Sequence, residues 1–262
     1  MQNAALLAGH GYAALAVAYA NVPGLPESNG GRRIPVDTVE MGIRWLQANP
    51  AIDSARIAVL GVSMGGELAL LAGSLLPELD AVVSLNGSPI VWVRDNLASR
   101  GQVDGPVWAY RGEDLPYAFL PIPADYPYRR LTGETLEFTP VYLTALEDWA
   151  SVEPAMTRVE KTNGPILLLT GGDDRTWPSA RLAEIVVARL DEYNFPYPYR
   201  HVNYPSGGHS LGRPYLPTYT TINSLVDCDQ ALGGSPAANA AMTVAAWQEV
   251  FAFLDAAFAD GL

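Results

Sequence analysis

The chain has 262 residues, 49% of them apolar, which is enough for one large α/β domain with a sizeable core. Its 28 acidic and 16 basic side chains give a formal net charge of −12, an argument against nucleic acid or an anionic membrane surface as a partner. Cys228 is the only cysteine, so there is no disulfide framework; with no basic leader and no bilayer-length apolar run, a reducing, cytoplasmic setting is expected.

Residues 1–8 predict the end of a helix that stops at Gly9, with Gly11 just beyond. Residues 13–19 are a continuous apolar run, the pattern of a strand covered on both faces. A loop rich in Gly, Pro and Asn fills 21–33. Asp37-Thr38-Val39-Glu40 then has the form of a capping box. It opens a helix in which Val39, Ile43 and Leu46 share a face, until Asn49-Pro50 ends it.

Residues 56–62 form the next apolar strand and run into Gly61-Val62-Ser63-Met64-Gly65, followed over 67–76 by apolar positions at helical spacing. Strand, tight glycine turn and helix are the context of a nucleophile elbow. The serine there sits in a strained backbone conformation at the top of a sheet. Small residues two before and two after it, Gly61 and Gly65, leave room for the turn. The helix aims its N-terminal N–H groups back at the serine, so the Met64 N–H is expected to bind a developing oxyanion.

Residues 79–85 are another buried strand, leading to Asn86-Gly87-Ser88-Pro89. From 91 to 163 the alternation breaks down, and prolines and aromatics crowd 115–128. This segment is predicted to be an insertion over the sheet's C-terminal edge, a lid or pocket wall whose aromatics line the Ser63 mouth. Residues 165–170 resume as a buried strand ending in Gly171-Gly172-Asp173-Asp174. A helix follows over 179–190, with Leu182, Ile185, Val186 and Leu190 on one side. A shorter strand over 199–203 leads to Tyr204-Pro205-Ser206-Gly207-Gly208-His209. A long helix over 237–259 closes the chain, with Trp247, Val250, Phe251, Leu254 and Phe258 inward. Strands alternating with helices predict a mostly parallel sheet with helices on both faces. That makes one α/β domain over 1–262, with 91–163 inserted.

A serine hydroxyl needs a general base, and the base needs an orienting carboxylate. Of His10, His201 and His209, the first lies beside a helix end and the second inside a strand. His209 follows the last strand in a glycine-bearing loop, and the order Ser, acid, His suits an α/β-hydrolase arrangement. The acid belongs on the loop after the preceding strand, where Asp173 and Asp174 adjoin. Gly171-x-x-Asp174 with Pro178 four residues on selects Asp174, leaving Asp173 as a turn residue. Three scattered histidines lack metal-ligand spacing, and neither metal nor cofactor is expected.

With these motifs, the chain resembles the catalytic domain shared by acyl-CoA thioesterases and bile acid-CoA:amino acid N-acyltransferases, within the α/β-hydrolases. The resemblance runs through 5–12, 61–67, 84–88, 170–177, Tyr204-Pro205 with Gly208-His209, Arg213-Pro214-Tyr215-Leu216-Pro217, and 232–247. It implies a small acyl thioester as substrate. In that family a serine nucleophile accompanies hydrolysis and a cysteine accompanies amino-acid transfer, so Ser63 implies hydrolysis. Arg32-Arg33 and Arg129-Arg130 are the local basic pairs that would meet a CoA. A carboxylester substrate, as in dienelactone-hydrolase-like relatives, is the alternative. The strand and glycine-rich loop that precede the first helix in that fold are not in this sequence. A slot about 10 Å wide is therefore expected between residues 13–19 and 57–62. In that reading the chain is a shortened, weakly active or inactive remnant with Met64 as the only oxyanion donor.

Overall fold

A computed structural model describes residues 2–19, 32–93, 105–211, 214, 218, 220–224 and 229–259. Part of the expected loop (21–31), part of the expected insertion (94–104), Arg213, Tyr215, Leu216, Pro217 and Cys228 lie outside the described residues. The elements in order are α1 (Gln2–Ala8), β1 (Ile34–Pro35), α2 (Asp37–Gln47), β2 (Ala58–Val62), α3 (Met64–Leu75) and β3 (Ala81–Leu85). They continue with β4 (Trp108–Tyr110), β5 (Glu113–Asp114), α4 (Tyr126–Leu131), α5 (Thr139–Glu147), α6 (Trp149–Val152), β6 (Ile166–Gly171) and α7 (Ser179–Glu192). The last are β7 (Tyr199–Tyr204), β8 (Ile222–Ser224), β9 (Asp229–Ala231) and α8 (Pro236–Ala257).

Four strands form the central parallel sheet in the order β2-β3-β6-β7. The apolar runs of β2, β3 and β6 leave no polar face, which requires cover on both sides. Val82, Ile166 and Leu168 face Leu70 of α3 and Val186 and Leu190 of α7. Val83, Leu85, Leu167 and Leu169 face Trp247, Val250 and Leu254 of α8, with Leu6 and Leu7 of α1 beside them. The sheet is therefore a three-layer α/β arrangement, as its alternation of strands and helices predicts. A small second sheet, β1-β4-β5, packs Ile34 and Trp108 against Leu68 and Leu71 of α3.

Four local expectations are corrected. α1 stops before Gly9 as expected, but the left-handed cap residue is Gly11: it has φ +91°, its N–H bonds Ala8 O, and the Tyr12 N–H reaches back to Leu7 O. Those two bonds are a Schellman closure, which places the left-handed residue two positions after Gly9. The capping box over 37–40 does not form. Val36 is the residue before α2, in a helical conformation without a side-chain cap. The Asp37 carboxylate instead accepts the Arg111 N–H at 3.0 Å, and Glu40 pairs with Arg44. Pairing of β1 with β4 brings Arg111 to Asp37, while Glu40 is engaged one turn along its own helix.

The strand expected over 13–19 is not formed either. That run is half-exposed, with Leu15 and Val17 against Gly42 and Tyr19 against Trp108. A strand needs a ladder neighbour, and among the described residues none pairs with this run or with the second edge of β2.

The turn from β2 into α3 is set by close backbone approach. A Cβ on Gly61 would fall 1.8 Å from Gly65 O, whereas one on Gly65 would meet nothing nearer than the Tyr19 hydroxyl at 3.6 Å. The second tight position is Gly66, whose Cβ would lie 2.9 Å from Gly87 Cα. The expected pair, Gly61 and Gly65, is thus corrected to Gly61 and Gly66. Gly61→Ala is expected to cost about 3 kcal/mol or more in denaturant melts. Gly65→Ala, in a helical first turn, is expected to be neutral or stabilising by up to about 1 kcal/mol.

A second expectation concerns His201 on β7. Its Nε2 lies 2.7 Å from Thr170 Oγ1, and burial holds the ring below the usual imidazole range, Glu184 opposing in part. The unfolded chain, with its ordinary value near about 6.5, therefore takes up the proton first as pH falls. The stability carried by the neutral ring is present above that value and lost below it. Tm measured from pH 7.5 down to 5.5 should fall more steeply for the wild type than for His201→Gln.

Candidate active site

Ser63 sits between β2 and α3 with φ +58° and ψ −123°, a conformation that non-glycine residues rarely hold without surrounding constraint. The constraint is visible on both sides. The Ser63 N–H extends the β2–β3 ladder to Leu85 O at 2.8 Å, and Ser63 O takes the Glu67 N–H at 3.0 Å. Met64 opens α3 immediately afterwards, so its peptide lies at the positive end of that helix. Beneath the turn, the Glu67 side chain is 1% exposed and accepts the Trp108 Nε1–H at 2.7 Å. Burial, and then the charge of Glu67, raise the Tyr19 phenol above its ordinary range.

The structure brings Ser63, His209 and Asp174 together. Ser63 Oγ lies 2.8 Å from His209 Nε2, and His209 Nδ1 lies 2.8 Å from Asp174 Oδ2. Both partners are enclosed, the Asp174 side chain at 1% exposure and that of His209 at 11%. The result is one continuous hydrogen-bond chain from hydroxyl to carboxylate. Such a chain lets an imidazole take the hydroxyl proton while a fixed negative charge stabilises the imidazolium. Asp173 faces away, its carboxylate accepting the Gly234 N–H at 2.9 Å and Arg175 Nε at 3.2 Å. His10 stacks on Phe251 and bonds Leu6 O; His201 stays inside β7.

Three residues outside the expected set hold this arrangement. Asn86, fully buried at φ +46°, donates from Nδ2 to His209 O at 2.9 Å and accepts the Gly171 N–H at 2.8 Å. Trp177 donates its indole N–H to Asn86 O at 2.9 Å and sets its ring edge-to-face with His209, centroids 5.7 Å apart. The Ser179 hydroxyl donates to Asp174 Oδ2. Asn86-Gly87 at a strand end was a turn signal that could have flagged the first. Nothing local marks the other two, because their partners are set by loop geometry.

Within the segment from 105 to 163, residues 138 and 139 lie against the acid loop at the C-terminal ends of the strands, whereas Asn163 bonds Pro77 O ahead of β3. Thr139 Oγ1 donates to Asp174 O at 2.7 Å, and the Phe138 N–H donates to Arg175 O at 3.0 Å. Tyr142 of α5 stands edge-to-face with both Trp92 and Trp177, so an aromatic chain leads from this segment to His209. Of the expected basic pairs, Arg33 is held by Asp114 at 2.8 Å and Arg129 by Glu134 at 3.0 Å. No helix among the described residues is long and apolar enough to cross a membrane.

Known proteins show what the chain is similar to. The family model described as BAAT / acyl-CoA thioester hydrolase C terminal matches residues 34–260. Acyl-coenzyme A thioesterase 2 (mitochondrial) of Mus musculus is 30% identical over 252 residues, covering 96% of this chain and 51% of its own. Acyl-coenzyme A thioesterase 3 of the same species is 31% identical over 254 residues, covering 96% and 54%. The chain thus spans about half the length of the curated relatives it matches. Among solved structures, an α/β-hydrolase from a deep-sea metagenome library covers 94% of this chain and 69% of its own, at 16% identity and TM-score 0.43. Matched by the family model over residues 34–260, this chain belongs to the BAAT / acyl-CoA thioester hydrolase C-terminal family.

Proposed function

We propose that the chain is a serine hydrolase of acyl thioesters, working through an acyl-enzyme on Ser63. The observation that carries this reading is the hydrogen-bond chain Ser63–His209–Asp174, at 2.8 Å in each link, on a strained elbow. Family membership and relatives named as acyl-coenzyme A thioesterases support the substrate class.

In this reading His209 Nε2 takes the Ser63 proton as Oγ adds to the thioester carbonyl. The oxyanion forms at the N-terminus of α3, where the Met64 N–H is the donor we assign. Collapse of the tetrahedral adduct breaks the C–S bond, and the imidazolium returns its proton to the leaving thiolate. Water, deprotonated by His209, then adds to the acyl-enzyme, and the acid leaves as Ser63 recovers its proton. Asp174 holds the ring in the Nδ1–H tautomer throughout. Residues 91–163 we assign as the wall of an acyl pocket, with Trp92 and Tyr142 its approach to His209.

A second reading, hydrolysis of simple carboxylesters, is favoured by one observation. Arg33 and Arg129, expected to meet a CoA, are each engaged by a carboxylate.

A panel of acyl-CoAs and aryl esters, assayed on the wild type and Ser63→Ala, separates the two. Thioester turnover that Ser63→Ala lowers on the order of 10⁴-fold or more is the expected result. Turnover of esters alone moves the assignment to a carboxylester hydrolase. Silence toward both, with no labelling by a serine-directed phosphonate, overturns the enzyme reading and leaves an inactive remnant.

A further inference from the structure

We propose that Ser179 is a positioning residue of this site: its hydroxyl holds the Asp174 carboxylate in the orientation that keeps Oδ2 on His209. The inference rests on the serine-hydrolase reading and extends it to a residue outside the Ser63–His209–Asp174 chain.

Ser179 is the first residue of α7 and is completely buried. Its hydroxyl could have served its own helix, whose preceding residue, Pro178, makes no side-chain cap. It donates instead to Asp174 Oδ2, the oxygen that also accepts from His209 Nδ1. The other oxygen is already occupied: Oδ1 accepts the Thr176 N–H at 2.9 Å and the Trp177 N–H at 3.2 Å. Without Ser179, Oδ2 is held by the imidazole itself, so carboxylate and ring could tilt together about the Oδ1 anchor. A donor on Oδ2 that is independent of the ring fixes the carboxylate plane. The second donor sits where water does not reach, so a hydroxyl on the protein has to supply it.

Sharing Oδ2 has a chemical consequence as well. A charge-assisted bond from Ser179 draws part of the carboxylate's electron density away from His209 Nδ1. The proton is thereby kept on the imidazole, in the tautomer that leaves Nε2 open to Ser63. A catalytic aspartate with a single donor on that oxygen would be more basic and would compete more strongly with Nδ1 for the shared proton. Ser179 touches neither substrate nor the reacting atoms, so its effect passes entirely through Asp174.

The test compares full-length wild type, Ser179→Ala and Ser179→Thr, with Ser63→Ala as the check on the underlying reading. Three quantities are read: Tm, kcat and KM on the best substrate of the panel, and the downfield proton resonance of His209 Nδ1–H. For Ser179→Ala we expect kcat to fall about 10-fold with KM within about twofold, because ground-state binding does not involve this bond. The resonance should move or broaden, and Ser179→Thr, which restores a hydroxyl, should return both toward wild type. An unmoved resonance and unchanged kcat in Ser179→Ala overturn the proposal. So does a Ser179→Thr protein of wild-type Tm that restores neither. Should Ser179→Ala fail to fold, Ser179→Cys, of similar volume and weaker donation, must give an intermediate resonance for the proposal to stand. The resonance belongs to the resting protein, so it decides on Ser179 even if Ser63→Ala keeps its activity and the serine-hydrolase reading falls.

Discussion

One buried asparagine joins the two loops that carry the acid and the histidine of the site. Asn86 ends β3 at φ +46°, a left-handed turn that asparagine tolerates better than most residues. The turn aims its side chain across the ends of the neighbouring strands. Oδ1 receives the Gly171 N–H at the end of β6, and Nδ2 serves Gly208 O and His209 O after β7. Its own carbonyl takes the Trp177 indole, and its N–H extends the β3–β6 ladder to Leu169 O. Apart from the part-buried His209 carbonyl, these partners are buried groups that would each cost about 1–3 kcal/mol if left unpaired. The acid loop and the histidine loop are therefore held to the same residue, and their separation is fixed.

That constraint works because the sheet beneath it is rigid in register. β6 and β7 pair over six residues, Ile166 with Tyr199 through Gly171 with Tyr204, and the ladder runs on from Gly172 N–H to Tyr204 O. Asp174 and His209 leave adjacent strands at nearly the same height, so a short side chain on one reaches a ring on the other. On the far side of β3, β2 delivers Ser63 at the level of Leu85. Residues 146 apart in the chain thereby meet at 2.8 Å. No long side chain has to be immobilised to bring them together, which keeps the entropy cost of the site low.

The segment after β3 is bound into the same loops rather than laid over them. Glu137 pairs with Arg175 at 2.7 Å, and Asp173, on the other side of that arginine, holds the 232–234 turn after β9 through the Gly234 N–H. At the opposite side of the elbow, Trp108 of β4 is bonded to the buried Glu67. Displacing this segment would therefore disturb the acid loop and the base of the elbow together. In the proposed chemistry, pocket wall and reacting groups share one hydrogen-bonded frame.

Local sequence determined the parts whose physics is local. The apolar runs before Ser63, Asn86 and Asp174 became β2, β3 and β6 within a residue or two, and α7 and α8 buried the faces their periodicity set out. Gly-x-Ser-x-Gly between a strand and a helix, with Asp174 and His209 on later strand-end loops, was enough to name the three residues that meet. Tertiary structure decided whatever depended on a partner elsewhere in the chain. Residues 13–19 have the composition of a buried strand, yet extended backbone becomes a strand only beside a ladder neighbour, and composition does not carry that information. Asp37 and Glu40 have the spacing of a capping box, yet Asp37 bonds the Arg111 N–H just beyond β4, while Glu40 pairs within the helix with Arg44. Gly65 fits the motif, yet the space is closed at Gly66 because Gly87 approaches it from another loop. Asn86, Trp177 and Ser179 escaped notice for the same reason: each acts on a loop or side chain whose position is set only when the strands find their register.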